Sequence, residues 1–166
     1  VITFVLGGAR SGKSLVAERL ASRDRVDVTY VATVNVGDDV DLAERVAAHQ
    51  SRRLAHWVTV ECEGDLADVL RRTRGTMLVD SLGPWVASLT AFKVDVDALC
   101  AALVARVDDT IIVSDEVGMG VHPSSKLGRE FRDALGELNQ AIASIADDVL
   151  FVVAGRVLPM QPDSSL

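Results

Sequence analysis

The sequence is short of positive charge. Seventeen lysines and arginines face 24 aspartates and glutamates, giving a formal net charge of −7 and a pI near 4.9. Binding to nucleic acid at large rests on a basic footprint, which this balance excludes. A small phosphate ligand is not excluded, because local N–H groups and a few cations suffice to build an anion site. Long apolar runs are also missing. None approaches the roughly 18 residues that a membrane span needs. The apolar start, Val1–Leu6, is too short for the core of a leader and runs straight into glycines. Cysteine is scarce: Cys62 and Cys100 form no CxxC pair. That usage predicts a reduced, cytoplasmic setting, with both residues acting as small hydrophobes. No internal repeat, low-complexity tract or domain linker is present.

What is there is an ordinary globular mixture, 49% apolar and 25% charged in 166 residues. That length favours one domain with one core. Short β-rich runs alternate with helical patterns along the chain. Strands are predicted over Val1–Leu6, Val26–Thr33, Trp57–Glu61, Thr76–Asp80, Thr110–Ser114 and Val149–Ala154. Helices are predicted over Lys13–Ser22, Asp41–Arg53, Leu66–Arg72, Trp85–Ala91, Val96–Val107 and Lys126–Ala146. In the last of these, Phe131, Leu135, Leu138, Ile142 and Ile145 recur at spacings of three or four. Asn35–Asp39 reads as a turn. Strands alternating with helices give an α/β fold, P-loop NTPase-like, with a mostly parallel sheet covered by helices on both faces. Residues 1–158 form the single nucleotide-binding domain, and Pro159–Leu166 is expected to be a loose tail.

The sharpest motif is Gly7-Gly8-Ala9-Arg10-Ser11-Gly12-Lys13-Ser14, a match to G-x-x-x-x-G-K-[ST] between a strand and a helix. Its glycines let backbone N–H groups approach phosphates. Lys13 reaches the β- and γ-phosphates, and the Ser14 hydroxyl suits Mg²⁺. A strand-end carboxylate normally completes the metal shell. Asp80 closes Thr76–Asp80 and fits that role, with Asp115 and Glu116 after Thr110–Ser114 as competitors.

Among the three histidines, His49 stands out. On a helix it would neighbour Arg45, Arg52 and Arg53 at spacings of three or four. Three guanidiniums disfavour the imidazolium, and a neutral imidazole among phosphate-binding cations can attack phosphorus. The competing reading is a solvated basic face of a helix. His56 reads as a packing or surface residue, whereas His122 lies in a loop after Asp115–Gly120 that could touch a ligand.

Taken in order, the P-loop, the His49 segment ending in Ala55-His56-Trp57, Asp115-Glu116-Val117-Gly118-Met119-Gly120, Phe131-Arg132-Asp133-Ala134-Leu135-Gly136 and Asn139-Gln140 carry a resemblance. Over about residues 2 to 158 the chain resembles the bifunctional adenosylcobinamide kinase / adenosylcobinamide-phosphate guanylyltransferase family of cobalamin biosynthesis. The resemblance implies phosphorylation of adenosylcobinamide by ATP or GTP. It also implies transfer of GMP from GTP to adenosylcobinamide phosphate through a guanylylated histidine, here His49. It implies GTP contacts from Gly7, Gly8, Ala9, Arg10, Ser11, Gly12, Lys13 and Ser14, from Ala32, Thr33 and Val34, from Gln50, Ser51, Arg52 and Arg53, and from Glu61 and Asp80. Mg²⁺ would sit on Ser14 and Asp80, Lys13 and His49 would be catalytic, and the assembly would be a homotrimer. The chain departs from the family pattern at Asp115, where Asn is expected, at Asp80, where some relatives carry Glu, and at Ala48, where some have a second histidine. Two alternatives stay open: a P-loop kinase of another small alcohol, and a guanylyltransferase without the kinase step. A GTP-dependent switch is disfavoured by the absence of an Asn-Lys-x-Asp run.

Overall fold

A computed structural model describes residues 1–23, 27–33, 56–62 and 64–162. Among the described residues, seven strands form one sheet in the order β3-β2-β4-β5-β1-β6-β7. They are β1 (Ile2–Gly7), β2 (Val28–Ala32), β3 (Val58–Glu61), β4 (Thr76–Asp80), β5 (Thr110–Asp115), β6 (Asp148–Val153) and β7 (Arg156–Met160). The first six pair in parallel and β7 returns antiparallel to β6. The helices are α1 (Lys13–Ala21), α2 (Leu66–Arg72), α3 (Leu82–Ser88), α4 (Val96–Val104) and α5 (Lys126–Ile145), with a 3₁₀ turn at Thr90–Phe92.

Central strands of such a sheet are covered on both sides, so they read as nearly unbroken apolar runs. Alternate residues then feed two cores. Phe4, Leu6, Met77, Val79 and Ile112 face a core closed by α2, α3, α4 and α5. Val5, Leu78, Ile111, Val113 and Val152 face a core closed by Ala17 and Ala21 of α1. The α/β architecture with helices on both faces is therefore borne out. In α5 the expected stripe is the packing face: Leu135, Leu138 and Ile142 are fully buried. Phe131 meets Phe92 edge to face at 5.5 Å between ring centroids. Three helix starts are capped by a short polar side chain, whereas Ser81 before α3 makes no such bond. Asp65, Asp95 and Ser125 accept from the N–H of Asp68, Ala98 and Gly128.

Several boundaries differ from expectation, among them the end of α4, which stops at Val104 and not Val107. The helix expected from Trp85 starts three residues earlier, at Leu82. Gly83 and Pro84 read as punctuation, but the first helical turn has no use for the N–H that proline lacks. A strand also runs into the segment expected to be a loose tail. β7 carries the chain through Pro159 and Met160, with Leu150 opposite Pro159. An edge strand tolerates proline because its outward N–H has no sheet partner to lose. The turn expected at Asn35–Asp39 and the helix expected at Asp41–Arg53 lie outside the described residues.

Candidate active site

Parallel strands deliver their C-terminal residues to one edge of the sheet, and that edge is where open α/β sheets bind ligands. Register makes the delivery explicit. Gly7 of β1 lies beside Asp115 of β5. Ala32 of β2 lies between Glu61 of β3 and Asp80 of β4. The phosphate-loop motif thus opens beside the strand-end carboxylate of Asp115, with Asp80 one strand further along.

The loop itself is held from three sides. Ser11 N–H donates to the Gly8 carbonyl at 3.2 Å, and Gly155 N–H donates to the Ser11 carbonyl at 2.7 Å. Glu116 N–H donates to the Gly7 carbonyl at 3.1 Å. Gly12 sits at φ 94°, in the left-handed region that favours glycine. A Cβ there would also approach Gly155 Cα at 3.4 Å. The hairpin between β6 and β7 therefore buttresses the loop, a support with no local sequence signal.

Lys13 and Ser14 open α1 and aim at different acids. The Ser14 hydroxyl donates to Asp80 Oδ1 at 3.1 Å. Tyr30 donates its phenolic O–H to Asp80 Oδ2 at 2.9 Å from inside the sheet. Asp80 is 9% exposed and Tyr30 3%. The Lys13 ammonium pairs with Asp115 Oδ1 at 2.7 Å and donates to the Gly8 carbonyl at 3.3 Å. Asp80 and one of its two competitors in the sequence, Asp115, thus divide the work, Asp80 holding the serine and Asp115 the lysine.

Behind this edge, Asn139 of α5 ties down the end of β5. It accepts from the Ser114 hydroxyl at 2.6 Å and donates to the Asp115 carbonyl at 3.1 Å. Gly83 lies against the Asp115 side chain so closely that a Cβ would collide with its carboxylate. Tyr30, Gly83 and the clamping role of Asn139 escape a reading of local patterns, because their partners are 24 to 50 residues away or packed across elements.

The other expected contacts fall as follows. Ala9 and Arg10 are exposed on the loop, and Glu61 is exposed at the end of β3. Thr33 is buried, and its hydroxyl donates to the Ser81 carbonyl at 2.6 Å, tying β2 to the start of α3. Glu116 turns back to accept from Gly118 N–H at 2.5 Å. His122 Nδ1 accepts from Arg132 at 3.1 Å, and His56 is exposed. His49, Val34, Gln50, Ser51, Arg52 and Arg53 lie outside the described residues. Among the described residues no three His, Cys, Asp or Glu cluster as a metal cage. That is compatible with Mg²⁺, which is held by one or two protein oxygens plus substrate phosphates. The hard oxygens of Ser14 and Asp80 fit such an ion. Neither cysteine is a nucleophile in waiting: burial pushes both thiols up.

Residues 3–160 match the family described as cobinamide kinase / cobinamide phosphate guanyltransferase. The chain belongs to that family. The bifunctional adenosylcobalamin biosynthesis protein CobP of Pseudomonas aeruginosa is 40% identical, over 95% of this chain and 96% of that protein. CobU of Salmonella typhimurium, with the same bifunctional description, is 35% identical over 93% of this chain and 97% of its own length. Among solved structures, the flagellar accessory protein FlaH of Methanocaldococcus jannaschii matches at a TM-score of 0.52 with 15% identity, covering 94% of this chain and 74% of that one. A KaiC-like protein of Pyrococcus horikoshii matches at 0.52 with 14% identity, covering 98% and 80%. These two likenesses concern the fold alone. No helix among the described residues is long and apolar enough to cross a membrane.

Proposed function

We propose that this family member catalyses two transfers at the edge described above. It phosphorylates the hydroxyl of adenosylcobinamide with ATP or GTP, and it caps the resulting phosphate with GMP from GTP. The observation that carries the reading is the juxtaposition of Lys13 and Ser14 at the start of α1 with the strand-end carboxylate of Asp80. It rests also on membership of the family.

In the capping reaction, an imidazole nitrogen of His49 attacks the α-phosphorus of GTP. The bond to the β-phosphate oxygen breaks, and pyrophosphate leaves. A phosphate oxygen of adenosylcobinamide phosphate then attacks the same phosphorus and the P–N bond breaks, returning His49. Splitting the transfer in this way replaces one hard displacement by two easier ones. In the kinase reaction, the substrate oxygen attacks the γ-phosphorus and gives its proton to water, and the bond from that phosphorus to the β-phosphate oxygen breaks, releasing the nucleoside diphosphate.

Lys13 spreads the charge that develops on the leaving phosphates, and the loop N–H groups fix the polyphosphate in line. Ser14 and Asp80 would hold Mg²⁺, which when bound supplies charge neutralisation across the phosphates. Tyr30 keeps the Asp80 carboxylate aimed at Ser14. Arg52 and Arg53 suit forked contacts to phosphate. We assign guanine-nucleotide contacts to Gly7–Ser14, Ala32, Thr33, Val34, Gln50–Arg53, Glu61 and Asp80. The chain is assigned to the cytoplasm on its cysteine usage and to a homotrimer on the strength of the family resemblance.

The test is direct. Purified protein with Mg²⁺, GTP and adenosylcobinamide is expected to yield adenosylcobinamide-GDP and pyrophosphate, and Lys13→Ala is expected to abolish both steps. Undiminished turnover by Lys13→Ala would remove the phosphate loop from the mechanism.

A further inference from the structure

The ammonium of Lys13 is already taken. Its partner, Asp115 Oδ1, lies at 2.7 Å, and the two side chains are only 12% and 27% exposed. The carboxylate is also poorly placed to retreat. Asp115 ends β5 in register with Gly7. Its carbonyl is clamped by Asn139, and the N–H of the next residue is bonded to Gly7. Its other oxygen lies against Gly83, where even a methyl group would collide. A fixed anion therefore stands where Lys13 would meet the β- and γ-phosphates of a nucleotide.

We propose that Asp115 is a positioning residue that acts through Lys13 as an internal competitor of the polyphosphate. The incoming phosphates must draw the ammonium off the carboxylate, and Asp115 takes it back when pyrophosphate or nucleoside diphosphate departs. Two effects then oppose polyphosphate binding, the ion pair given up and the repulsion between a carboxylate and phosphates sharing one small site. The gain is turnover, because a site that held its leaving group without competition would release it slowly. Gly83 belongs to the device, since its missing side chain is the room in which the Asp115 carboxylate sits. The inference depends on the phosphate-loop reading of Gly7–Ser14.

Isothermal titration of the full chain tests it with three probes: inorganic pyrophosphate, GMP, and the α,β-methylene analogue of GTP, whose α-phosphorus cannot be transferred. Each is titrated with Mg²⁺ and again in EDTA. Asp115→Asn is expected to tighten pyrophosphate and the analogue about tenfold, the span between an exposed and a buried ion pair. GMP, which lacks the phosphates that Lys13 meets, is expected to stay within about twofold. Gly83→Ala, which pushes the carboxylate aside, is expected to act in the same direction, with thermal melts checking that both variants fold. In steady state, Asp115→Asn is expected to lower KM for GTP and to lower kcat with it. Weaker or unchanged polyphosphate binding by Asp115→Asn overturns the proposal. So does a loss confined to Mg²⁺, which would make Asp115 a metal ligand, or an equal change for GMP, which would take Lys13 out of the coupling. Failure of Lys13→Ala to weaken pyrophosphate would instead defeat the phosphate-loop reading itself.

Discussion

Replacing Asp80 by alanine separates its structural work from the metal-holding role proposed for it. Its carboxylate accepts the Tyr30 O–H at 2.9 Å and the Ser14 hydroxyl at 3.1 Å, at 9% exposure. Ser14 is half-buried at the loop and can turn to water, so its loss costs little. Tyr30 is 3% exposed, and the acceptor it loses is worth about 1–3 kcal/mol of folding stability. Removing a carboxylate from a buried position also relieves its desolvation, which trims that figure toward its lower end. Asp80→Asn keeps an oxygen for Tyr30 and should cost less than about 1 kcal/mol. Turnover responds differently, because both variants remove the charge that would hold the metal on the phosphates. A loss of at least about 100-fold in kcat is expected for each, comparable to losing a single preorganised electrostatic group. Urea melts beside steady-state assays at saturating Mg²⁺-GTP measure the two effects. Turnover within a few-fold of the parent in Asp80→Asn would refute the role given to this carboxylate. Activity that falls only in proportion to unfolding in Asp80→Ala would refute it equally.

Further outcomes follow from other parts of the fold. Arg106 lies away from the site, where it donates to the carbonyls of Leu70, Thr73 and Gly75 and to the Thr110 hydroxyl. Arg106→Ala should lower stability by about 2–4 kcal/mol while leaving GTP affinity unchanged, read by denaturation and titration calorimetry. Gly12→Ala forces a side chain into a left-handed conformation beside Gly155, so it should weaken GTP at least about tenfold with a modest loss of stability. Burial holds the Cys62 thiol above its ordinary range, with the Gly64 carbonyl contact too weak to offset it. The folded chain therefore resists thiolate formation. Its stability from this group is complete below the usual thiol pKa of about 8.5 and declines as pH rises beyond it. Cys62→Ala should flatten that alkaline slope in melts, and alkylation of Cys62 at neutral pH should need denaturant.

How much of this was legible in the sequence depends on whether a residue's partner was local. The phosphate loop declares itself within eight residues, and Asp80 is found by ending an apolar strand. The apolar runs of β1, β4 and β5 foretell a sheet covered on both faces, and the spacing from Leu135 to Ile142 foretells the packing of α5. Pairings between distant strands leave no such trace. Tyr30 reads as one more strand residue until the register of β2 against β4 brings it to Asp80. Asp115 reads only as a rival of Asp80 for the metal shell until the sheet order sets it beside Gly7. Gly83 looks like a helix breaker until the carboxylate beside it is seen. β7 hides because a proline near a chain end reads as a loose tail, although an edge strand accepts it.

The central claim is that the innermost phosphorus of GTP passes to His49 before it reaches the corrinoid. Incubating the protein with Mg²⁺ and GTP labelled at the α-phosphate, then treating it with acid or base, asks this directly. A protein-bound label that survives base, is lost in acid, moves to added adenosylcobinamide phosphate and is absent from His49→Ala is the expected result. A label that persists in His49→Ala, or capping activity that survives that substitution, would contradict it.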